Sequence, residues 1–211
     1  MAGGRGRITL GAVADEHGQV KGDSGGKRDP EREARRRVAL AQIRQYPDPS
    51  LRLRAAEVDA VDDGLRRLVE RMFTLMDDAN GIGLAATQVG VLRRLFVCRL
   101  GDEDENGERQ GHVFVNPVVT PVGEEHKSAD EGCLSLQEVL VPVERPTRVT
   151  VSATDLDGAT VRLELEDLDA RVVQHELDHL DDILIIDRTT DEARREALAT
   201  LRPKPELAGR A

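Results

Sequence analysis

The run Gln174-His175-Glu176-Leu177-Asp178-His179 restricts what this chain can fold into more than any other segment. It reads HExxH within a stretch where Val172, Val173, Leu177, Leu180, Ile183 and Leu184 form an apolar stripe, so the spacing predicts a helix packed into a core. Two imidazoles and a carboxylate carried inside need partners, because burying such groups unpaired is costly. Residues four apart on a helix lie about 40° apart around the axis and one turn apart along it, so both rings can reach one metal ion. Glu176 beside them is then a candidate general base acting on water at that metal. The competing reading is a polar turn on a surface helix, and the apolar flanks count against it.

Aromatic residues make up 2 % of the 211 residues and Trp is missing, so Leu, Val, Ile and Ala must fill the core. Asp62 is placed to cap a helix running to about Ala79, with Leu65, Leu68, Val69, Met72, Leu75, Met76 and Ala79 on one face. YPDPS at 46–50 reads as a turn. Strand signals follow at 95–98, 112–115, 118–119, 139–143 and 149–153, and again at 160–166 after the Asp157-Gly158 turn. The HExxH helix starts at Asp167 or Asp169, and a last helix spans about 191–201 before Pro203. Strands in the middle with helices on the flanks indicate an α+β fold. Residues 1–36, rich in Gly and lacking apolar periodicity, read as a disordered tail, 37–202 as one domain and 203–211 as a second tail.

A net charge of −10 excludes a nucleic-acid binder of the basic-patch type. No apolar run reaches the roughly 18 residues of a membrane span, and the amino terminus has no hydrophobic signal region. The expected location is the cytoplasm, where Cys98 and Cys133 serve a metal or catalysis more readily than a disulfide.

A hydrolytic metal centre takes three protein ligands and keeps one position open. The extended HExxHxxGxxH pattern fails, since Asp182 and Ile185 stand where its Gly and third His belong. Glu192 or Glu196 downstream is a formal alternative ligand, though exposed charge on the last helix explains both. Cys133, in Glu131-Gly132-Cys133-Leu134-Ser135, offers a thiolate suited to Zn²⁺ or Fe²⁺, against the alternative of a small buried hydrophobe. A third signal is Gly81-Ile82-Gly83-Leu84-Ala85-Ala86-Thr87-Gln88-Val89-Gly90. Its small residues let a backbone lie against an extended ligand, and Gln88 carries an amide donor; a tight helix-to-strand connection is the plainer reading.

Taken together and in this order, GIGLAATQVG, EGCLS and QHELDH resemble the three signature motifs of the peptide deformylases, and YPDPSLR and VERP are similar to that family as well. The resemblance covers about residues 38–190. It implies an α+β fold of short, mostly antiparallel strands around the central HExxH helix, with an N-terminal and a C-terminal helix. It implies a hydrolase that removes the formyl group from N-formylmethionine of nascent chains, releasing formate. Cys133, His175 and His179 would hold one divalent metal, expected to be Fe²⁺, with Zn²⁺, Ni²⁺ or Co²⁺ able to substitute. Glu176 would take a proton from the attacking water and return it to the leaving amine. Gln88 and the Leu134 N–H would stabilise the developing oxyanion. Gly81, Ile82, Gly83 and Gly132 would hold the peptide as an added strand. The partners implied are N-formylmethionyl peptides and nascent chains, with the ribosome close by, and neither a specific nucleic acid nor a membrane. A catalytically weak paralogue acting as a ribosome-associated binding module is the alternative. The chain departs from the family at Asp182, where Gly is usual, at Ile185, often Phe, and at Gln137, usually Pro. Asp182 lies where it can perturb the helix cap.

Overall fold

One strand, Leu95 to Leu100, buries almost every side chain, and the layers are arranged around it. The computed structural model describes residues 29–202 apart from Asn106. Its elements are α1 (Pro30–Leu40), α2 (Asp63–Asp78), β1 (Gly83–Ala85), β2 (Leu95–Leu100), β3 (Gln110–Pro121), β4 (His126–Cys133), β5 (Leu136–Pro146), β6 (Arg148–Thr154), β7 (Thr160–Glu166), α3 (Asp167–Leu180), α4 (Ile185–Arg188) and α5 (Asp191–Thr200). Short 3-10 turns lie at Pro49–Arg52 and Ala86–Val89. Strands β1, β2, β3, β6 and β7 form one antiparallel sheet in the order β1-β2-β3-β6-β7, and β4 and β5 form a separate hairpin.

The period-two alternation of β2 splits the core. Leu95 and Val97 pack with Leu65, Val69, Met72 and Met76 of α2, together with Ala39 and Leu40 of α1. Phe96, Cys98 and Leu100 point the other way, into a cluster with Phe114, Val151 and Ala170, Val172 and Val173 of α3. A third cluster joins Cys133, Leu136 and alternate residues of β5 to Leu184, Ile185 and Ile186 around α4 and Ala197 of α5. Helix α3 therefore lies against the sheet on one side and the hairpin on the other. Its polar residues emerge in the cleft between them.

The described residues begin at Asp29, and α1 covers part of the stretch 1–36 that was expected to be a disordered tail. Asp29 accepts from the Glu31 N–H and Pro30 occupies the first turn, a start signal that opens α1 at Pro30. The rest of the expected tails, 1–28 and 203–211, lies outside the described residues. Strand β4 was not foreseen. Among the described residues, no helix is long and apolar enough to cross a membrane.

Candidate active site

The three singled-out segments reach one cleft by three different local devices. Hairpin β4-β5 turns at Leu134-Ser135, and its register slips between Gly132 and Cys133, which leaves Cys133 at the end of the strand. The 3-10 turn Ala86–Val89 closes on Gly90 in the left-handed region, at φ +78°, and buries Gln88. Helix α3 presents His175 and His179 one turn apart on one face, with Glu176 beside them.

Cys133 Sγ lies 3.3 Å from His179 Nε2, and one donor atom each from Cys133, His175 and His179 fall within 4.8 Å of one another. The two rings stand nearly edge to face, with centroids 5.0 Å apart. His175 Nδ1 meets Glu131 Oε2 at 3.1 Å, which leaves its Nε2 to face the cleft. A carboxylate behind an imidazole in this way fixes the ring and its tautomer, as is usual for a metal ligand. One thiol and two imidazoles, converging, with Cys133 and His179 buried and His175 partly so, fit a divalent metal of the Zn²⁺ or Fe²⁺ type. Glu192 and Glu196 are exposed on α5 and take no part in this group.

Gln88 is held from both ends. Its Oε1 accepts from the Ala85 N–H at 2.8 Å, so its NH₂ must face the cleft, where it donates to Ser135 Oγ at 3.1 Å and lies 3.6 Å from Cys133 Sγ. Glu176 is 4 % exposed, and its Oε2 is buried with no hydrogen-bond partner. Burial pushes its carboxyl up to about 7, against the pull of His175 and Arg145. Its other oxygen packs on Gly83: a Cβ there would come within 2.2 Å of Oε1, so only glycine fits. Gly81 is similarly tight, with its missing Cβ 2.7 Å from Leu134 Cδ1. The first and second motifs thus touch directly, and Gly83 brings the first against the third. Ile82 packs partly buried on the α3 side, and Gly132 pairs with Leu140.

Sequence reading missed what stands behind these residues. Arg145 grips Glu131 through Nε at 2.6 Å and NH2 at 2.9 Å, and reaches Asp178 with NH1 at 2.9 Å. Arg171 adds a bond to Glu131, and Arg188 two to Asp178. Burial alone would raise the Glu131 carboxyl, but Arg145 and His175 overcome it and hold it well below the usual carboxylate range. Burial also opposes the His175 cation, yet Cys133 and Glu131 raise it well above the ordinary histidine value. Ser135, fully buried, was missed too. An available clue was VERP, which puts Arg145 in a strand whose alternate residues turn inward.

Residues 40–195 match the family model described as polypeptide deformylase. The chain is 41 % identical over 167 residues to the peptide deformylase of Chromohalobacter salexigens, a match covering 79 % of this chain and 96 % of that one. Its structure is similar to that of peptide deformylase from Thermotoga maritima, with a TM-score of 0.65, 41 % identity and coverage of 70 % of this chain and 96 % of that one. It is also similar to a peptide deformylase from Synechococcus elongatus in complex with actinonin, with a TM-score of 0.70, 39 % identity and coverage of 75 % and 85 % respectively. With a converging Cys/His/His group on the matched segments, these likenesses lead to one conclusion: the chain belongs to the polypeptide deformylase family.

Proposed function

We propose that this chain hydrolyses the formamide of N-formylmethionyl peptides on nascent chains in the cytoplasm, near the ribosome, with Cys133, His175 and His179 holding Fe²⁺ as the native metal. The observation that carries the reading is the buried Glu176 carboxylate, partnerless at Oε2, beside a converging Cys/His/His group that it does not join. When bound, the metal supplies Lewis acidity towards a water and the formyl oxygen. Glu176 takes the proton of the attacking water and delivers it to the departing amine. Gln88, its NH₂ fixed by the Ala85 bond, donates to the oxygen on which charge develops, and the Leu134 N–H assists.

The substrate backbone runs between β1 and β4. Strand β1 is the edge of its sheet and β4 pairs with β5 on one side, so a peptide can add as a strand along Ile82, Gly83 and Gly132, with Gly81 at its rim. Two buried free thiols, Cys98 and Cys133, suit a reducing compartment. The test is formate release from formyl-Met-Ala-Ser by anaerobically purified, iron-loaded protein. Stoichiometric formate supports the reading. Tight peptide binding without formate would favour the binding-module alternative.

A further inference from the structure

Helix α2 ends under electrostatic strain that it does not relieve itself. Its last turn carries Asp77 and Asp78 and no basic residue, at the end where the helix dipole is negative. The turn that follows launches the first motif. Asn80 N–H bonds Asp77 O at 3.0 Å and Gly81 N–H bonds Met76 O at 2.8 Å, a Schellman closure with Asn80 at φ +58° in the left-handed region.

Positive charge comes to this turn from elsewhere. Arg99 of β2 pairs with Asp77 at 2.6 Å. Helix α1 supplies the rest: Arg35 lies 3.8 Å from Asp78, and Arg32 donates from NH2 at 2.8 Å and from Nε at 3.3 Å to Asn80 Oδ1. Helix α1 is itself seated by Ala39 and Leu40, both buried against the α2 cluster. All of it except Leu40 precedes the segment that matches the family model.

We propose that Arg32 is a positioning residue for the peptide-binding strand, holding the Asn80 turn so that Gly81–Gly83 stay in register with the substrate backbone. The inference rests on the deformylase reading for its effect on catalysis. The turn has little slack, because Gly81 already abuts Leu134 Cδ1 and Gly83 abuts Glu176. Loosening Asn80 lets the strand shift while leaving the Cys133, His175 and His179 group untouched. The penalty falls on binding of an extended peptide far more than on the chemical step.

The test uses the full-length, metal-loaded protein. Arg32→Ala raises KM for formyl-Met-Ala-Ser by about three- to tenfold, the loss of one hydrogen bond, with kcat changed less than about twofold. N-formylmethionine amide, which has no following residues to pair, shows a smaller rise. Asn80→Gly keeps the left-handed turn but removes the acceptor; it reproduces the effect, and the double variant adds nothing further. Arg32→Lys recovers part of it. Amide hydrogen exchange of residues 79–83 quickens in Arg32→Ala, while that of α3 does not. An unchanged KM, equal KM rises for both substrates, multiplying effects of the two substitutions, or faster exchange throughout the chain overturns the proposal. Absence of turnover in the unmodified protein would strike the deformylase reading instead, and the exchange measurement would still decide on the brace.

Discussion

Gly83 and Glu176 show how little freedom single residues have in this site. A methyl group at position 83 would sit 2.2 Å from Glu176 Oε1, so Gly83→Ala must push the carboxylate aside. Turnover is expected to fall about a hundredfold or more, the usual scale of lost proton transfer, with metal content unchanged. Steady-state kinetics with metal analysis checks this, and wild-type turnover would show that Glu176 has room to work elsewhere. Asp182 is the opposite case, a residue that gives up stability. It stands at φ +62° just after α3, with Ile183 N–H closing on Asp178 O at 2.9 Å, the geometry that favours glycine. Asp182→Gly should stabilise the protein by about 0.5–1 kcal/mol and raise Tm by roughly 1–4 °C. The Arg52 bond to the Asp182 carbonyl survives the change, so a lower melting temperature would contradict this account.

Among the elements, α3 depends on an ionic cluster as much as on its apolar stripe. Arg145 is about 5 % exposed between Glu131 and Asp178, so replacing it takes two hydrogen bonds from the buried Glu131 carboxylate and one from that of Asp178. Arg145→Met is expected to cost about 3–5 kcal/mol, read as a lower urea midpoint; a loss under about 1 kcal/mol would show that Arg171 and Arg188 suffice. This cluster also marks where sequence reading stops. Helix α2 was legible because Asp62 caps it and its apolar residues repeat at helical spacing, and β7 because Thr160–Glu166 alternates. The three site segments could be read since each carries unusual residue types at short spacing. Strand β4 was not legible: HKSADEGC is polar, and it becomes a strand only through pairing with β5. Helix α1 buries only Ala39 and Leu40, too few to give a period. Arg145 finds its two partners 14 and 33 positions away, so the network exists only once the hairpin has folded on α3.

At the scale of the whole molecule, sheet, hairpin and α3 bring a thiol and two imidazoles to one point, and that ligand set governs how the enzyme ages in air. A thiolate-bound ferrous centre reacts with oxygen and exposes Cys133 to oxidation, whereas Ni²⁺ in the same set does not follow that route. The Fe²⁺ form should lose activity in aerated buffer faster than the Ni²⁺ form, with reductant slowing the loss; equal decay would indicate ordinary unfolding. The central claim is a division of labour, in which Cys133, His175 and His179 hold the metal and Glu176 moves the proton. The most direct test measures bound metal and formate release side by side for the unmodified chain, Glu176→Ala and Cys133→Ser. The account predicts full metal and almost no formate for Glu176→Ala, and weakened metal binding with a parallel loss of formate for Cys133→Ser. Metal lost from Glu176→Ala, or metal and turnover both retained by Cys133→Ser, would contradict it.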